Sequence, residues 1–168
     1  KDYLSEFSDQ GEALDKLETG TDLAVLKTGD ESVYRYDQMG THSYENSSMQ
    51  TGTNGTSYYF SVASGDITNF FNEVDLNTPW DYHYENLDSR TILDRLAAVK
   101  YFVVKAGEEE YLPYGYDTLA AEVEKNDKLY RAYECKNALP IGYTYDSYIP
   151  EEKYAKMSTV EKQQALLQ

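Results

Sequence analysis

The stretch DSRTILDRLAAVKYFVV, residues 88–104, contains a helix pattern followed at once by a strand pattern. Its first part predicts an amphipathic helix, because apolar residues recur there at helical spacing after a residue suited to cap the helix. Tyr101–Val104 is a short apolar run typical of a buried strand. The helical pattern consists of Ile92, Leu93, Leu96 and Val99, with Asp88 or Ser89 as the cap. A helix that leads directly into a strand indicates an α/β unit.

Segments on either side add strands and helices to this unit. Strands are predicted where ring and polar residues alternate or apolar residues run together, at Val33–Asp37, Ser57–Val62 and Leu129–Glu134. Helices are predicted in two pieces within residues 3–18, through Ile67–Val74, at Leu119–Val123 and after Pro150. Residues 41–57 consist mostly of Thr, Ser, Asn and Gly, which predicts an exposed loop.

The predicted fold class is α/β (or α+β). A central mixed β-sheet is expected from the segments near residues 33, 58, 102 and 131, with amphipathic helices near residues 67 and 90 packed on it. We expect a single domain over residues 1–168, the size of one ordinary domain.

The core of this fold has to contain many tyrosine rings. Leu, Ile, Val and Phe together number 33 of 168 residues, and the formal net charge is −15, a combination associated with disorder. The 18 tyrosines change that expectation, because each ring can be buried while its hydroxyl stays near water or a polar partner. We therefore expect a folded domain with a core rich in tyrosine.

Charge and motifs exclude several classes of function. Thirty acidic residues against 15 basic ones repel phosphate backbones, so nucleic acid is not expected as a partner. Cys135 is the only cysteine and the chain has two histidines, so we expect no disulfide and no metal site. The sequence contains neither a serine-nucleophile elbow nor a phosphate-binding glycine loop, and it indicates no cofactor.

The sequence also predicts that the chain is a piece of a longer protein. It begins at Lys1 and stops at Gln168 inside a helical pattern. No apolar run in it reaches the length of about 18 residues that a membrane span needs.

Two aromatic segments have the composition of carbohydrate-binding sites. A ring can stack on the apolar face of a pyranose while neighbouring amide and carboxylate groups bond to its hydroxyls. These segments are Trp80–Tyr84 and Tyr143–Asp146, the latter together with Asn137. The alternative is that these rings belong to the core of a chain poor in aliphatic residues.

Five further stretches, read in order, resemble the bacterial membrane protein YfhO family. They are VYRYD at 33–37, ENSSM through TSYYFS at 45–61, LAAVKY at 96–101, NALPIGY at 137–143 and MSTVEKQ at 157–163. NALPIGY is the most specific of them. The resemblance covers most of residues 30–168.

The resemblance implies a soluble region on the extracytoplasmic face of the cell membrane, joined to a transmembrane portion of the same polypeptide. Its implied role is acceptor recognition or support when such a protein modifies cell-envelope polymers, such as teichoic acids, with a sugar carried on a polyprenyl phosphate. The implied partners are a cell-envelope glycopolymer or a lipid-linked sugar. The catalytic acid is implied near the first membrane helices, so no residue of this chain is assigned a catalytic role.

The candidate carbohydrate contacts come from the matching motifs and from the two aromatic segments. They are Arg35, Asp37, Asn46, Trp80, Tyr82, Asn137, Tyr143 and Tyr145. Two other functions stay open at this point. One is a stand-alone cell-surface carbohydrate-binding or adhesion module, and the other is a small secreted hydrolase with two acids in one pocket.

Overall fold

The computed structural model describes residues 10–11, 18–39, 46–76 and 82–167. The helices predicted within residues 3–18 lie almost wholly outside that part of the chain. The described strands are β1 (Arg35–Gln38), β2 (Tyr58–Tyr59), β3 (His83–Tyr84), β4 (Val99–Lys105), β5 (Thr118–Lys125) and β6 (Lys128–Glu134). The described helices are α1 (Gly20–Leu26), α2 (Ser47–Thr51), α3 (Gly65–Glu73), α4 (Thr91–Leu96), α5 (Glu151–Tyr154) and α6 (Thr159–Ala165), with a 3-10 helix at Glu109–Tyr111.

A mixed four-stranded sheet in the order β1-β4-β6-β5 forms the centre of the structure. Strand β1 runs parallel to β4, whereas β6 runs antiparallel to both of its neighbours. The predicted strands at 33–37, 101–104 and 129–134 correspond to β1, β4 and β6, and the α/β class is confirmed.

Successive residues of β4 are buried on opposite faces of the sheet, as the two-residue period of a strand requires. Phe102 belongs to a core cluster with Phe71 of α3 and Leu93 of α4. Val103 belongs to a second cluster, with Val25 of α1. The helices predicted near residues 67 and 90 therefore pack on the sheet as expected, and α1 covers the other face.

Tyrosine contributes to both clusters. Among the described residues four tyrosines are buried, namely Tyr36, Tyr84, Tyr101 and Tyr116. The Tyr84 ring lies 4.5 Å from the Phe71 ring, centroid to centroid. The Tyr116 hydroxyl donates to the Val99 carbonyl at 2.8 Å, so this ring is buried without losing its hydrogen bond.

The prediction of a helix at Leu119–Val123 is wrong, because these residues lie in the edge strand β5. A two-residue turn joins β5 to β6, with Asn126 at φ 53° and Asp127 at φ 58°. Two successive left-handed residues are typical of the tight hairpin turn that matches the twist of paired strands. The hairpin pairing outweighs the helix propensity of the alanines in this segment.

The prediction that Ser57–Val62 is a buried strand of the central sheet is also wrong. Tyr58 and Tyr59 pair only with β3, in a separate two-stranded sheet. The chain touches the edge of β1 at a single bridge, between Tyr36 and Gly55, and then leaves it. The fourth place in the central sheet is taken by β5 instead.

The predicted loop 41–57 contains a short helix. Residues 41–45 lie outside the described part of the chain, and α2 begins directly after Asn46. The residues that flank α2 have left-handed backbone conformations, with Asn46 at φ 66° and Gly52 at φ 73°. This conformation lets the chain turn sharply at each end of the helix.

Candidate functional site

A groove of about 350 Å³ lies between helix α3, the first residue of β1 and the segment that precedes β2. It is lined by Arg35, Gly55, Thr56, Tyr58, Asp66, Ile67, Phe70, Phe71, Leu87 and Ala97. Most of these side chains are apolar, and the polar ones include one cation and one carboxylate. Such a mixture of ring surfaces with a few polar groups is typical of small-ligand sites.

Arg35 is fixed at this groove by the turn that follows α4. Its backbone N–H donates to the Ala98 carbonyl at 2.8 Å, and its guanidinium Nη1 donates to the Ala97 carbonyl at 2.8 Å. A guanidinium carries five N–H donors in a planar fork, so a residue held in this way can present a donor set to a ligand. Asp66, in the first turn of α3, supplies the carboxylate of the same groove.

Aromatic rings form the apolar wall. Tyr58 packs 4.7 Å from the ring of Tyr84, and Phe70 lies 6.1 Å from Phe71 in an edge-to-face arrangement. Phe70 remains 37% exposed, so its ring is open to a ligand. Burial, with the nearby Tyr84 as a second cause, raises the pKa of Tyr58 to about 12, and its hydroxyl therefore stays neutral and able to donate.

A buried pair of carboxyl groups lies behind the groove. Asp37 is fully buried and accepts from the Thr56 hydroxyl at 2.6 Å and from the Leu87 backbone N–H at 3.0 Å. Asp94 is also fully buried, and the charge of Asp37 acts on its carboxyl group. Neither Asp94 oxygen has a hydrogen-bond partner among the described residues.

Both carboxyl groups of this pair have a raised pKa. Burial raises the pKa of Asp37, and burial followed by the charge of Asp37 raises the pKa of Asp94 well above its usual value. Cys135 acts in the same direction on Asp94. Because Thr56 and Leu87 both line the groove and both donate to Asp37, the pair fixes the shape of the groove wall.

Of the eight predicted contacts, Arg35 lines this groove. Asp37 is in the core behind it and acts through Thr56. The side-chain amide of Asn46 is bonded to the backbone of Tyr59, accepting from its N–H at 3.0 Å and donating to its carbonyl at 2.8 Å, which is a structural role. Trp80 lies outside the described residues.

Tyr82 is placed beside the two-stranded sheet. Its ring makes an edge-to-face contact with Tyr59 at 5.5 Å, and its carbonyl accepts from the Phe60 N–H at 3.0 Å. Asn137 is exposed in the turn after β6, away from the residues that line the groove. Neither Tyr82 nor Asn137 lines the groove beside Arg35.

Tyr143 and Tyr145 belong to a second cavity of about 360 Å³, next to the groove. Their rings stand edge to face at 5.5 Å, and the Tyr143 hydroxyl donates to the Leu96 carbonyl at 3.3 Å. Burial, followed by Tyr145, raises the pKa of Tyr143 to about 12. Phe70 and Ala97 border both cavities, so the cavity of Tyr143 and Tyr145 adjoins the groove beside Arg35.

Sequence reasoning missed Tyr58, Ile67 and Phe70 as groove residues because it placed them in the core. The pattern Ile67, Phe70, Phe71 and Val74 is that of a single core-facing stripe, so nothing in the sequence indicated that one edge of the stripe is exposed. Phe71 faces the core, whereas Phe70 and Ile67, three residues apart, form that exposed edge. The carboxyl pair gave no sequence signal, because Asp37 and Asp94 are far apart along the chain.

Comparison with known proteins places the chain in a family. The family model described as bacterial membrane protein YfhO matches residues 2–168. The chain belongs to the YfhO family. The chain is also 27% identical over 147 residues to the uncharacterized protein YfhO of Bacillus subtilis (strain 168), and this match covers 85% of the chain and 16% of that relative. No solved structure matches the chain significantly.

The five stretches that resemble the YfhO family all lie within the matched residues. In the part of the chain that the structure describes, no helix combines the length and the apolar character needed to cross a membrane. The same described residues contain no group of three His, Cys, Asp or Glu side chains placed to hold a metal ion.

Proposed function

We propose that this region of a YfhO-family protein recognises an acceptor glycopolymer of the cell envelope, of the teichoic acid type. In this proposal it lies on the extracytoplasmic face of the membrane and presents the acceptor to the membrane portion of its polypeptide, which transfers a sugar from a polyprenyl phosphate. Membership of a bacterial membrane protein family supports the membrane context. The groove beside Arg35 is the single observation that supports recognition.

The chemistry of the groove suits a sugar. The exposed face of Phe70 can stack on the apolar face of a pyranose, and Ile67 extends that surface along α3. Arg35 donates hydrogen bonds, Asp66 accepts them and the Thr56 hydroxyl is held in place by Asp37. Polar groups at fixed positions around a ring surface give orientation as well as affinity.

The net charge of −15 indicates which part of the acceptor is contacted. An acidic molecule repels the phosphates of a polyanionic polymer, so the favourable contacts are expected at its neutral sugar or polyol hydroxyls. Among the residues that line the groove, Arg35 is the one cation, and it can receive a single phosphate at the groove.

The two alternative functions, a stand-alone carbohydrate-binding module and a hydrolase, would need different features of the groove. A stand-alone module would use the same groove but would need no membrane portion. A hydrolase needs two acids that flank a sugar. Asp66 is the one acid that lines the groove, and the pair Asp37 and Asp94 is buried, so the groove does not favour hydrolysis.

Calorimetric titration with purified teichoic acid fragments tests the recognition step. Phe70→Ala removes the exposed ring, and we expect it to weaken binding by about tenfold, the factor that corresponds to one well-placed ring contact. Tyr114→Ala is the matched control, because Tyr114 is 87% exposed and does not line the groove. Equal affinity for wild type and the Phe70 variant would rule out this groove.

The transfer step has its own test. The isolated chain is expected to show neither transferase nor hydrolase turnover on polyprenyl-phosphate sugar and polymer together. Turnover by the chain alone would contradict the assignment of catalysis to the membrane portion.

A further inference from the structure

Residues 46–65 form a run of twenty positions without a charged side chain. The chain has 45 charged residues among 168, so an even distribution would place about five in such a run. The run contains α2 and β2 and ends at Gly65, the first residue of α3. This segment is therefore uncharged, although the whole chain carries a net charge of −15.

Apolar side chains are exposed where this run meets α3. Val62 is 92% exposed and Phe60 is 42% exposed, and neither belongs to a helix or strand. The Phe60 ring lies 5.3 Å from that of Tyr58, and Tyr58 shares the groove with the exposed Ile67 and Phe70. We call the exposed apolar side chains outside the groove the apolar tip; its members are Tyr59, Phe60, Val62 and Tyr82.

We propose that the apolar tip rests in the headgroup region of a lipid bilayer. The chain belongs to a family of membrane proteins, which places a bilayer near it. Phe60 and Val62 protrude on a bend, and a fluid interface can receive a protruding apolar tip without a preformed cavity. Tyr59 and Tyr82, in edge-to-face contact, are suited to the headgroup level, where tyrosine rings are enriched.

The distribution of charge favours the orientation in which the apolar tip faces the bilayer. Anionic headgroups repel an acidic protein over roughly one Debye length, about 8 Å at physiological salt. The uncharged run is the part of the surface that can approach a bilayer with the least repulsion. This inference rests on family membership and on the surface, so it does not depend on sugar recognition in the groove.

Dye fluorescence on tethered vesicles tests the proposal. A Val62→Cys variant carries an environment-sensitive dye, and a terminal His tag on a flexible linker holds it on phosphatidylcholine vesicles that contain a nickel-chelating lipid. Val160→Cys is the matched control, since Val160 is an exposed valine of α6, whose Lys162 pairs with Glu73 at the far end of α3 from the tip. Labelling of the wild type checks whether the dye reacts with the buried Cys135.

The dye at position 62 is expected to shift to the blue on vesicles and to be quenched by brominated lipid, whereas the dye at position 160 does neither. Adding Phe60→Ser should weaken the contact about fivefold to tenfold, in line with the loss of a partly buried phenyl ring. Equal responses at positions 62 and 160 would overturn the proposal. A blue shift that grows with protein concentration without vesicles would also overturn it, in favour of a second copy of the chain.

Discussion

At the scale of single residues, Asp94 is the group whose ionisation matters most to the fold. It is buried in the core, and burial followed by the charge of Asp37 raises its pKa well above the usual value. A carboxyl group whose pKa is raised in the folded state stabilises the fold fully below its unfolded pKa, about 4, and loses that contribution as the pH rises through the folded value. The fold should therefore be more stable in mild acid than its acidic composition alone would indicate.

Asp94→Asn tests this directly. The amide does not ionise, so we expect its free energy of unfolding to fall less than that of the wild type between about pH 5 and pH 8. Urea unfolding at a series of pH values measures both slopes. Asp117→Asn, at an exposed position, is the control and should follow the wild type. Identical slopes for wild type and Asp94→Asn would show that Asp94 is not protonated in the folded state.

Tyr36 shows how a tyrosine can replace an aliphatic core residue. Its ring is buried and its hydroxyl donates to the buried carboxylate of Asp22, which also accepts from the hydroxyls of Thr19 and Thr53. Burial, followed by the charge of Asp22, raises the pKa of Tyr36 well above its usual value. The hydroxyl is thus a permanent donor to a buried anion.

Tyr36→Phe removes that donor and keeps the ring. Because the buried carboxylate of Asp22 is left with two hydroxyl donors, we expect a loss of about 1–3 kcal/mol in the free energy of unfolding. Tyr114→Phe, at a tyrosine that is almost fully exposed, should change stability very little. A variant as stable as the wild type would mean that water or another group replaces the Tyr36 hydroxyl.

At the scale of elements, the β5–β6 hairpin depends on its two-residue turn. Asp127 has φ 58°, a region that glycine occupies at no cost and alanine only with strain. We expect Asp127→Ala to destabilise the fold by about 1 kcal/mol and Asp127→Gly to leave it unchanged or more stable. Thermal unfolding of the two variants measures the difference, and equal melting temperatures would contradict the turn geometry.

The elements that the sequence predicted are those whose apolar residues follow a single periodicity, helical or strand, and pack against a single surface. Helices α3 and α4 and strand β4 have that property, although Val99, which the pattern assigned to the helix, is the first residue of β4. Strand β5 was missed because its alanines favour a helix, whereas the Asn126–Asp127 turn decides the structure. The run Ser57–Val62 was misplaced because an apolar sequence does not say whether it faces a core or solvent.

The candidate site was predictable only in part, for the same reason. Arg35, named through a motif, lines the groove, but Asp37 and Asn46 from the same kind of motif form internal hydrogen bonds. The groove itself joins α3, β1 and the turn after α4, and these meet only through the parallel pairing of β1 with β4. A single sequence does not show which of its aromatic residues that pairing brings to Arg35.

At the scale of the whole molecule, all the acidic residues lie outside the uncharged run of residues 46–65. The uncharged run supplies three residues of the groove lining, Gly55, Thr56 and Tyr58, and most of the apolar tip, whereas the excess acid lies elsewhere along the chain. Raising the salt concentration screens repulsion between an acidic protein and a polyanion. Binding of teichoic acid fragments should therefore strengthen between low salt and about 0.15 M, the reverse of the usual behaviour of phosphate-binding proteins. Calorimetry at several salt concentrations tests this, and weaker binding at higher salt would show that phosphate contacts dominate.

A nuclear magnetic resonance titration of the chain with purified teichoic acid fragments tests the central claim most directly. The account predicts that the largest backbone amide shifts fall on Gly55, Thr56 and Ala97, which line the groove beside Arg35, while Gly107, in the turn after β4, stays unchanged. Shifts confined to Tyr143–Tyr145, or no shifts at saturating fragment, would contradict it.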